Sequence, residues 1–551
     1  METRAAQNPS RQDDSRKGRH MTWGSHLDRF ADRFSDRLNP LLVKEVRQAL
    51  KGRLFLITFA LLLLGAWCVS VFGVTAAGDA IYWQSSPWLL GAYIIVLQIA
   101  VLAFVPTMAF RSMQAETDFN TWELVCITTL SPRRLVAGKL GCAVVQTLLL
   151  CSVIAPCIAF CSLLPGFDWM LTAIVLGVTL IFSLLNTIFS VMLSSLATNK
   201  LWQNFALGAL WLVLAGEVRC GYELVHTLVT GQDLSNFLNW FFDGISLGSG
   251  GGYYYTSPAP LVRYWFVGVT LLVLALTYFF LFYEITVSQV TFEADSRSGR
   301  IRLTCSLLYV LQWALLVLCD DWRHYQANPA LGLFIVHWLV FGLSACLESE
   351  TISTRIRRRL SGWSRLRSPY LPGGSRALAF MLLHLGSTPL VAFVLGTYFR
   401  NFRSGPEVAL WSMYLLTYIT IAVAGSRSLL AMNPHIRRAN LRLGVTIGIV
   451  LSMLPSFVLA EMFYNVASHF FVLTIFNPFA YSALNRQSWT MVTPLALVAL
   501  IGVHLNWEII KRSVLDVSPL GSEIQSEHDE TRSPAFPKKK TGILQATGNE
   551  R

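Results

Sequence analysis

Long apolar stretches alternate with polar segments along most of the chain. Twelve of these stretches contain no Lys or Arg, and each approaches or exceeds the roughly 20 apolar residues that a membrane-spanning helix needs. The pattern therefore predicts an all-α fold, a polytopic transmembrane helix bundle of about twelve spans. The predicted spans are 54–76, 88–110, 140–164, 170–196, 202–218, 264–286, 303–319, 329–347, 377–399, 407–425, 444–463 and 490–509.

Composition and charge agree with a membrane protein. Of the 551 residues, 54% are hydrophobic and 14% are charged, whereas soluble domains carry roughly 25% charged residues. If the N-terminus is cytoplasmic, 38 of the 44 Lys and Arg residues fall in inner segments. An excess of Lys and Arg marks cytoplasmic loops, so both termini are expected inside. The net charge of +12 then needs no nucleic-acid partner.

The polar segments divide the chain into four parts. Residues 1–38 and 513–551 lack an apolar core segment and are expected to be disordered cytoplasmic tails. Residues 39–302 hold six predicted spans, and residues 303–512 hold six more. The two halves share a plan of loop lengths, which fits a parallel six-plus-six duplication. The alternative, in which unrelated spans were added one after another without duplication, fits the pattern equally well.

An amphipathic helix is predicted before the first span. Asn39 is a suitable N-cap residue and Pro40 suits a first helical turn. One face is apolar and the other polar, which is typical of a helix lying in the membrane interface. An ordinary juxtamembrane anchor fits as well. The apolar face comprises Leu42, Val43, Val46, Ala49 and Leu50, and the polar face Lys44, Glu45, Arg47, Gln48 and Lys51.

The inner loop between the second and third spans, residues 115–140, predicts a short amphipathic helix, a turn and a second helix start. Trp122 and Leu124 supply apolar positions around Glu123, and Pro132 stops the first helix. A stiff helix across the cytoplasmic side of a helix bundle can transmit the movement of a soluble partner to the two spans that flank the helix. The alternative is that Arg133, Arg134 and Lys139 only fix topology.

This loop resembles that of ABC-2 type ABC transporter permeases, in which it reads E-R-E-x-G-T-x-E-L-L, then T-T-P-L-S, a basic pair and G-K. The preceding helix, with Pro40, Lys44, Glu45 and Arg47, is similar to the elbow helix of that family. The comparable loop of the second half, 348–376, is rich in arginine and lacks the T-x-E-L-L core. The positions that match are Glu116, Thr121, Glu123, Leu124, Thr128, Thr129, Ser131, Gly138 and Lys139.

The resemblance implies a permease subunit of an ATP-driven exporter in a bacterial inner membrane. The loop is then an ATPase-coupling loop, with Trp122, Arg133 and Arg134 beside the matched positions. No phosphate-binding G-x-x-x-x-G-K-[ST] motif occurs, so ATP and Mg²⁺ are expected in a partner ATPase subunit. The chain itself is expected to be no enzyme and to hold no catalytic, cofactor or metal site. Besides the bilayer and the ATPase, a second permease chain is an expected partner.

Two other function classes remain open at this stage. A membrane-embedded lipid- or glycan-modifying enzyme needs a compact acid/base set, which the outer loops do not display. A non-transporting membrane scaffold needs no such set. Polar residues inside spans either mark a pathway or bond neighbouring helices, and packing is favoured; they are Gln98, Gln146, Asn186, His337, His384 and His504. Glu217 and Arg219 are interpreted as ordinary charges at a span boundary.

Overall fold

The computed structural model describes residues 40–77, 86–118, 131–164, 169–197, 200–229, 261–291, 298–318, 329–346, 368–398, 405–432, 492–508 and 510–511. All regular elements within these ranges are helices. Nine of the described helices are long and apolar enough to cross a membrane. Two shorter apolar helices, Ala330–Cys346 and Ala496–Leu505, overlap the predicted eighth and twelfth spans. The all-helical prediction is confirmed there; span 444–463 lies outside these ranges, so the number twelve stays a prediction.

The first of two compact units covers Met1–Phe237. Its helices are α1 (Pro40–Leu50), α2 (Arg53–Ala77), α3 (Ser86–Gln98), a π-helical segment (Ile99–Phe104), α4 (Val105–Asp118), α5 (Pro132–Cys161), α6 (Trp169–Leu196) and α7 (Lys200–Val229). Gln98 and Val105 flank the π segment in α-helical conformation. The second span therefore runs as one helix through α3, the π segment and α4.

The second span is the centre of the first unit. Its most apolar stretch is 72% buried, compared with 22% for the first span in α2. Apolar residues of α2, α3, the π segment and α5 form one core, in which Tyr93, Ile94 and Val101 are fully enclosed. The Ser70 and Tyr93 hydroxyls lie 2.8 Å apart and join α2 to α3. The outward face of α2, with Leu56, Ile57 and Trp67, is exposed and suits contact with lipid.

The second unit covers Leu238–Arg551. Its helices are α8 (Leu261–Val290), α9 (Gly299–Leu318), α10 (Pro329–Cys346), α11 (Gly374–Tyr398), α12 (Gly405–Met432) and α13 (Val492–Leu505), with a 3₁₀ turn at Ser368–Tyr370. Helix α8 packs against α9 and belongs to this unit. The predicted division at residue 302 between two six-span halves stays a prediction.

Helix α12 is central in the second unit, and its most apolar stretch is 72% buried. Gly342 lets α10 approach α12 closely, because a Cβ at this position would lie 2.6 Å from Cδ1 of Ile419 in α12. Buried polar atoms bond within the core: Trp338 Nε1 donates to Gln312 Oε1 over 3.0 Å, and Gln312 Nε2 donates to the Tyr278 hydroxyl over 3.1 Å. These bonds join α10, α9 and α8.

Candidate functional site

The predicted elbow helix, α1, packs along the start of the third span. Gly141 of α5 makes this approach possible, because a Cβ at that position would lie 2.9 Å from Leu42 Cδ1. Leu41 of α1 is buried as well. The structure therefore brings together the two segments that carry the family resemblance, the elbow helix and the end of the loop between the second and third spans.

Three side chains from three helices meet at this contact. Lys139 Nζ of α5 lies 3.7 Å from Glu45 Oε1 of α1 and donates to Ser112 Oγ of α4 over 2.9 Å. Ser112 Oγ in turn donates to Glu45 Oε2 over 3.2 Å. Side-chain exposure is 2% for Lys139 and 10% for Glu45. We call Glu45, Ser112 and Lys139 the Glu45–Lys139 junction. It is a buried, hydrogen-bonded ion pair rather than a surface contact.

The junction corrects the expected orientation of Glu45. The helical pattern placed Glu45 on the polar face with Lys44 and Arg47, and those two residues are exposed as expected. Glu45 itself is buried on the face that meets α5. The reason is Lys139, whose ammonium group makes a carboxylate favourable at a buried position. A lysine that only fixes the membrane topology is expected to be exposed to water, whereas the Lys139 side chain is buried.

The remaining coupling-loop residues lie at the ends of α4 and α5 or outside the described ranges. Ser131 caps α5 through its backbone: its carbonyl accepts from the amide of Arg134 over 2.9 Å, and Pro132 occupies the first turn. Arg133 and Arg134 are exposed. Glu116 lies in the last turn of α4. The residues outside the described ranges are Thr121, Trp122, Glu123, Leu124, Thr128 and Thr129. Pro40 begins α1.

Further polar bonds join helix ends close to the junction. Gln114 Nε2 of α4 donates to Gln203 Oε1 of α7 over 2.7 Å. Ser194 Oγ of α6 donates to the Phe110 carbonyl of α4 over 3.0 Å. Helix α4 is thus tied to α1, α5, α6 and α7 within its last turns. The end of α4 is therefore in hydrogen-bonded contact with four other helices.

A second polar cluster lies deeper in the first unit, beside the π segment. Gln98 Nε2 donates to Thr179 Oγ1 of α6 over 3.3 Å, and Ser183 Oγ of α6 donates to the Val101 carbonyl over 3.2 Å. Asn186 Nδ2 of α6 donates to Glu217 Oε2 of α7. Sequence reasoning interpreted Asn186 as packing and Glu217 as a boundary charge. It missed their pairing because 31 residues separate them along the chain.

The second unit also buries a basic side chain, at the end of its own long loop. Arg302 of α9 is 1% exposed, and its guanidinium donates to the carbonyls of Pro369 over 2.7 Å, Leu371, and Gly373 over 3.0 Å. Gly373 has φ 131°, which L-residues rarely adopt. We call Arg302 and residues 368–373 the Arg302 turn. Sequence reasoning counted Arg302 only as a topology charge.

The intramembrane histidines of the second unit pack among aromatic rings. His384 Nδ1 lies 2.9 Å from the Phe380 carbonyl, and its ring stacks on Trp338 at 5.4 Å. His337 stacks on Phe341 at 5.9 Å. These contacts favour the packing interpretation for both. Gln146 is buried in α5, and His504 is exposed on α13.

Comparison of the chain with protein-family models, with curated proteins and with solved structures finds no match.

Proposed function

We propose that this chain is the membrane-spanning permease subunit of an ABC exporter in a bacterial inner membrane. A separate ATPase subunit binds ATP and Mg²⁺, and the loop between the second and third spans docks onto it. The observation that carries the proposal is the Glu45–Lys139 junction, which joins the two segments that resemble ABC-2 permeases. The resemblance alone concerned two stretches of sequence about 70 residues apart.

The junction has the geometry that mechanical coupling needs. Residues 119–130 connect the end of α4 to the start of α5, and Ser112 and Lys139 lie on the two helices that flank them. Any force applied to that connection acts on both helices at once. Because Glu45 binds both Ser112 and Lys139, α1 must follow the movement. Interfaces of this kind act through discrete arrangements rather than by continuous deformation.

Burial makes the junction a rigid link. A surface ion pair contributes about 0–1 kcal/mol and exchanges freely with water. Breaking a buried pair by removing one partner costs about 3–5 kcal/mol, because the other charge is left without a counterion. The helices therefore keep their contacts during a conformational change. This is the expected behaviour of a transmission element, whereas a topology signal needs no buried partner.

Assembly with an ATPase tests the proposal most directly. The chain is co-expressed with the ATPase encoded by a neighbouring reading frame, purified in detergent, and assayed for the bound subunit and for ATP hydrolysis. Trp122→Asp and Leu124→Asp place a charge in the proposed contact, which costs several kcal/mol if it stays unpaired. Both variants are expected to lose the ATPase subunit while still inserting into the membrane.

Trp169→Asp is the matched control, because Trp169 is 68% exposed at the start of α6, where an acidic residue suits the helix N-terminus. It should retain the ATPase subunit. Retention of the subunit by Trp122→Asp and Leu124→Asp, or absence of any copurifying ATPase from the wild type, contradicts the proposal. The enzyme and scaffold alternatives would then be favoured.

Hydrogen exchange tests the coupling role of the junction. When a hydrolysis-deficient ATPase is locked with ATP on the wild-type chain, amide exchange in α1 should change, because the junction links α1 to the docking loop. Lys139→Met should keep the ATPase bound but abolish this change in α1. An unaltered α1 response in Lys139→Met would show that force reaches α1 by another route.

A further inference from the structure

Glu217 lies deep within the helices of the first unit, although its position in the sequence suggests a span boundary. Its partner Asn186 is ten residues before the end of α6 at Leu196 and 17 residues after its start at Trp169. With a rise of 1.5 Å per residue, Asn186 is about 15 Å from one end of the helix and about 25 Å from the other. The carboxylate is therefore well away from both ends of α6, and it lies within the apolar stretch of α7 that ends at Arg219.

No described basic residue is paired with the Glu217 carboxylate. Among the described residues its carboxylate bonds only to the neutral amide of Asn186. The nearest basic residue in sequence is Arg219, whose guanidinium lies 5.7 Å from the centre of the Tyr222 ring. The neighbouring polar side chains are neutral as well: Gln98 donates to Thr179, and Ser183 donates to the Val101 carbonyl. We call Gln98, Thr179, Ser183, Asn186 and Glu217 the Glu217 cluster.

A lone carboxylate in this environment is unfavourable. Ionised groups inside a membrane bundle are costly, and they are normally paired or mark a substrate or ion pathway. Hydrogen bonding to one amide does not supply the missing positive charge. The part of the chain that the structure describes supplies no positive charge to Glu217, so the carboxylate is suited to bind a cation or a proton.

The surroundings provide further ligand oxygens and space. The second span bulges beside the cluster as a π-helix, a feature that often accompanies functional sites. Gln98 Oε1 points towards α7, where a Cβ on Gly221 would lie only 2.4 Å from it. Gly216, next to Glu217, has open space where a side chain would stand. Glu217 itself is half-buried, so part of the residue is open at the surface of the unit.

We infer that the Glu217 cluster is a binding site for a single positive charge, with the Glu217 carboxylate as counterion and the side-chain amide of Asn186 as an additional polar ligand. The charge can belong to an inorganic monovalent ion or to the ammonium group of an organic molecule. The inference concerns the first unit alone and holds whether or not an ATPase partner exists.

The experiment uses the full chain, purified without an ATPase and reconstituted in nanodiscs of neutral lipid. One arm titrates NaCl on the wild type and on Glu217→Gln, which serves as the control for ionic strength, and records the unfolding temperature. The other arm titrates a fluorescent styrylpyridinium cation and records saturable binding. A rise in unfolding temperature with Na⁺ identifies an inorganic ion, and displaceable binding of the dye identifies an organic cation.

Glu217→Gln removes the charge but keeps the shape of the side chain, and its amide oxygen still accepts from Asn186, so the fold should persist. It is expected to weaken binding of the responding cation by about tenfold or more, a loss of the size expected for one charged contact. Asn186→Leu should weaken it less. The control Glu284→Gln removes a carboxylate on α8 that is 20% exposed and lies 3.6 Å from Arg300, and it should leave affinity unchanged within about twofold.

Three results would overturn the inference. In the first, neither cation binds the wild-type chain saturably. In the second, Glu217→Gln binds as tightly as the wild type. In the third, neither cation binds but the unfolding temperature depends on pH only when Glu217 is present, which would mean that a proton alone occupies the site. Gel filtration of each variant confirms that lost binding does not reflect lost folding.

Discussion

Each unit buries a basic side chain near the end of a long loop, but the two side chains have different kinds of hydrogen-bond partner. In the first unit, Lys139 follows the loop between the second and third spans and pairs with Glu45 of another helix. In the second unit, Arg302 precedes the seventh span and donates to carbonyls of the 368–373 segment, where the arginine-rich loop ends. One arrangement binds helix to helix, and the other binds a helix to the backbone of a loop.

The difference follows from the chemistry of the two cations. Lysine is a compact point charge that is well matched by one carboxylate, whereas arginine offers a planar fork of donors that can bond several carbonyls at once. The carbonyl contacts of Arg302 hold Gly373 and its neighbours in one conformation. The lysine pair holds two helices together. The first unit thus links helix to helix, and the second fixes the end of a loop.

The largest expected effect is the loss of Arg302. Arg302→Met removes charge-assisted bonds to three carbonyls, one buried and two partly buried, each worth about 1.5–3 kcal/mol, so it should destabilise the chain by about 4 kcal/mol or more. Arg302→Lys should recover part of this loss, since it keeps the charge without the fork. Thermal unfolding in detergent measures the effect. The control Arg300→Met alters a neighbour whose side chain is 62% exposed and should change little. Equal effects of Arg302→Met and Arg300→Met would show that the turn does not depend on the guanidinium.

The next effect concerns the first unit. Glu45→Gln and Lys139→Met each leave a buried charge without its partner and should each cost about 3 kcal/mol in unfolding free energy. The double variant should cost clearly less than the sum, because no unpaired charge remains. A double-mutant cycle from denaturant unfolding measures the coupling. Strict additivity would mean that the two residues act independently, against the 3.7 Å separation of Nζ and Oε1.

A smaller effect is expected from helix spacing at the same contact. Gly141→Ala places a methyl group 2.9 Å from Leu42 Cδ1, closer than carbon atoms normally pack, so α1 and α5 must separate or Leu42 must shift, at a cost of about 1–2 kcal/mol. Leu42→Ala in the same chain should relieve the clash and restore most of the unfolding temperature. If Leu42→Ala adds to the loss instead, the contact with Gly141 is not the cause.

The smallest effect is expected at a surface pair. Glu284 and Arg300 of the second unit form an ion pair with an N–O distance of 3.6 Å, but Arg300 is well exposed. Glu284→Gln should therefore change stability by no more than about 0.5 kcal/mol, and high salt should remove even that difference. A loss approaching that of Glu45→Gln would show that burial does not distinguish the two pairs.

Some of these features could be predicted from the sequence alone, and others could not. Apolar runs predicted the helical fold because a spanning helix is a local property of about 20 residues. The elbow helix and the start of α5 were predicted in the right places, since Pro40 and Pro132 are local signals. The orientation of Glu45 was wrong because periodicity assigns a charged residue to water and cannot see a buried Lys139 more than 90 residues away.

Other features of the site had no local signal at all. The pairing of Asn186 with Glu217 and the carbonyl ligands of Arg302 depend on contacts between distant segments. The π segment at Ile99–Phe104 consists of ordinary apolar residues that would suit a regular α-helix. Residues of this kind become interpretable only when their neighbours in space are known.

The π segment has a geometric consequence for movement within the first unit. A π turn accommodates one residue more than a regular turn, so it acts as a dislocation in the otherwise continuous second span. If this dislocation migrates along the helix, the part it passes through rotates by about 100°, the angle of one residue, while both ends of the span stay at their depth in the membrane. The most buried helix of the unit can thus turn its side chains towards new neighbours without sliding. Such a rotation would carry the Val101 carbonyl, and with it the bond from Ser183, out of its present register.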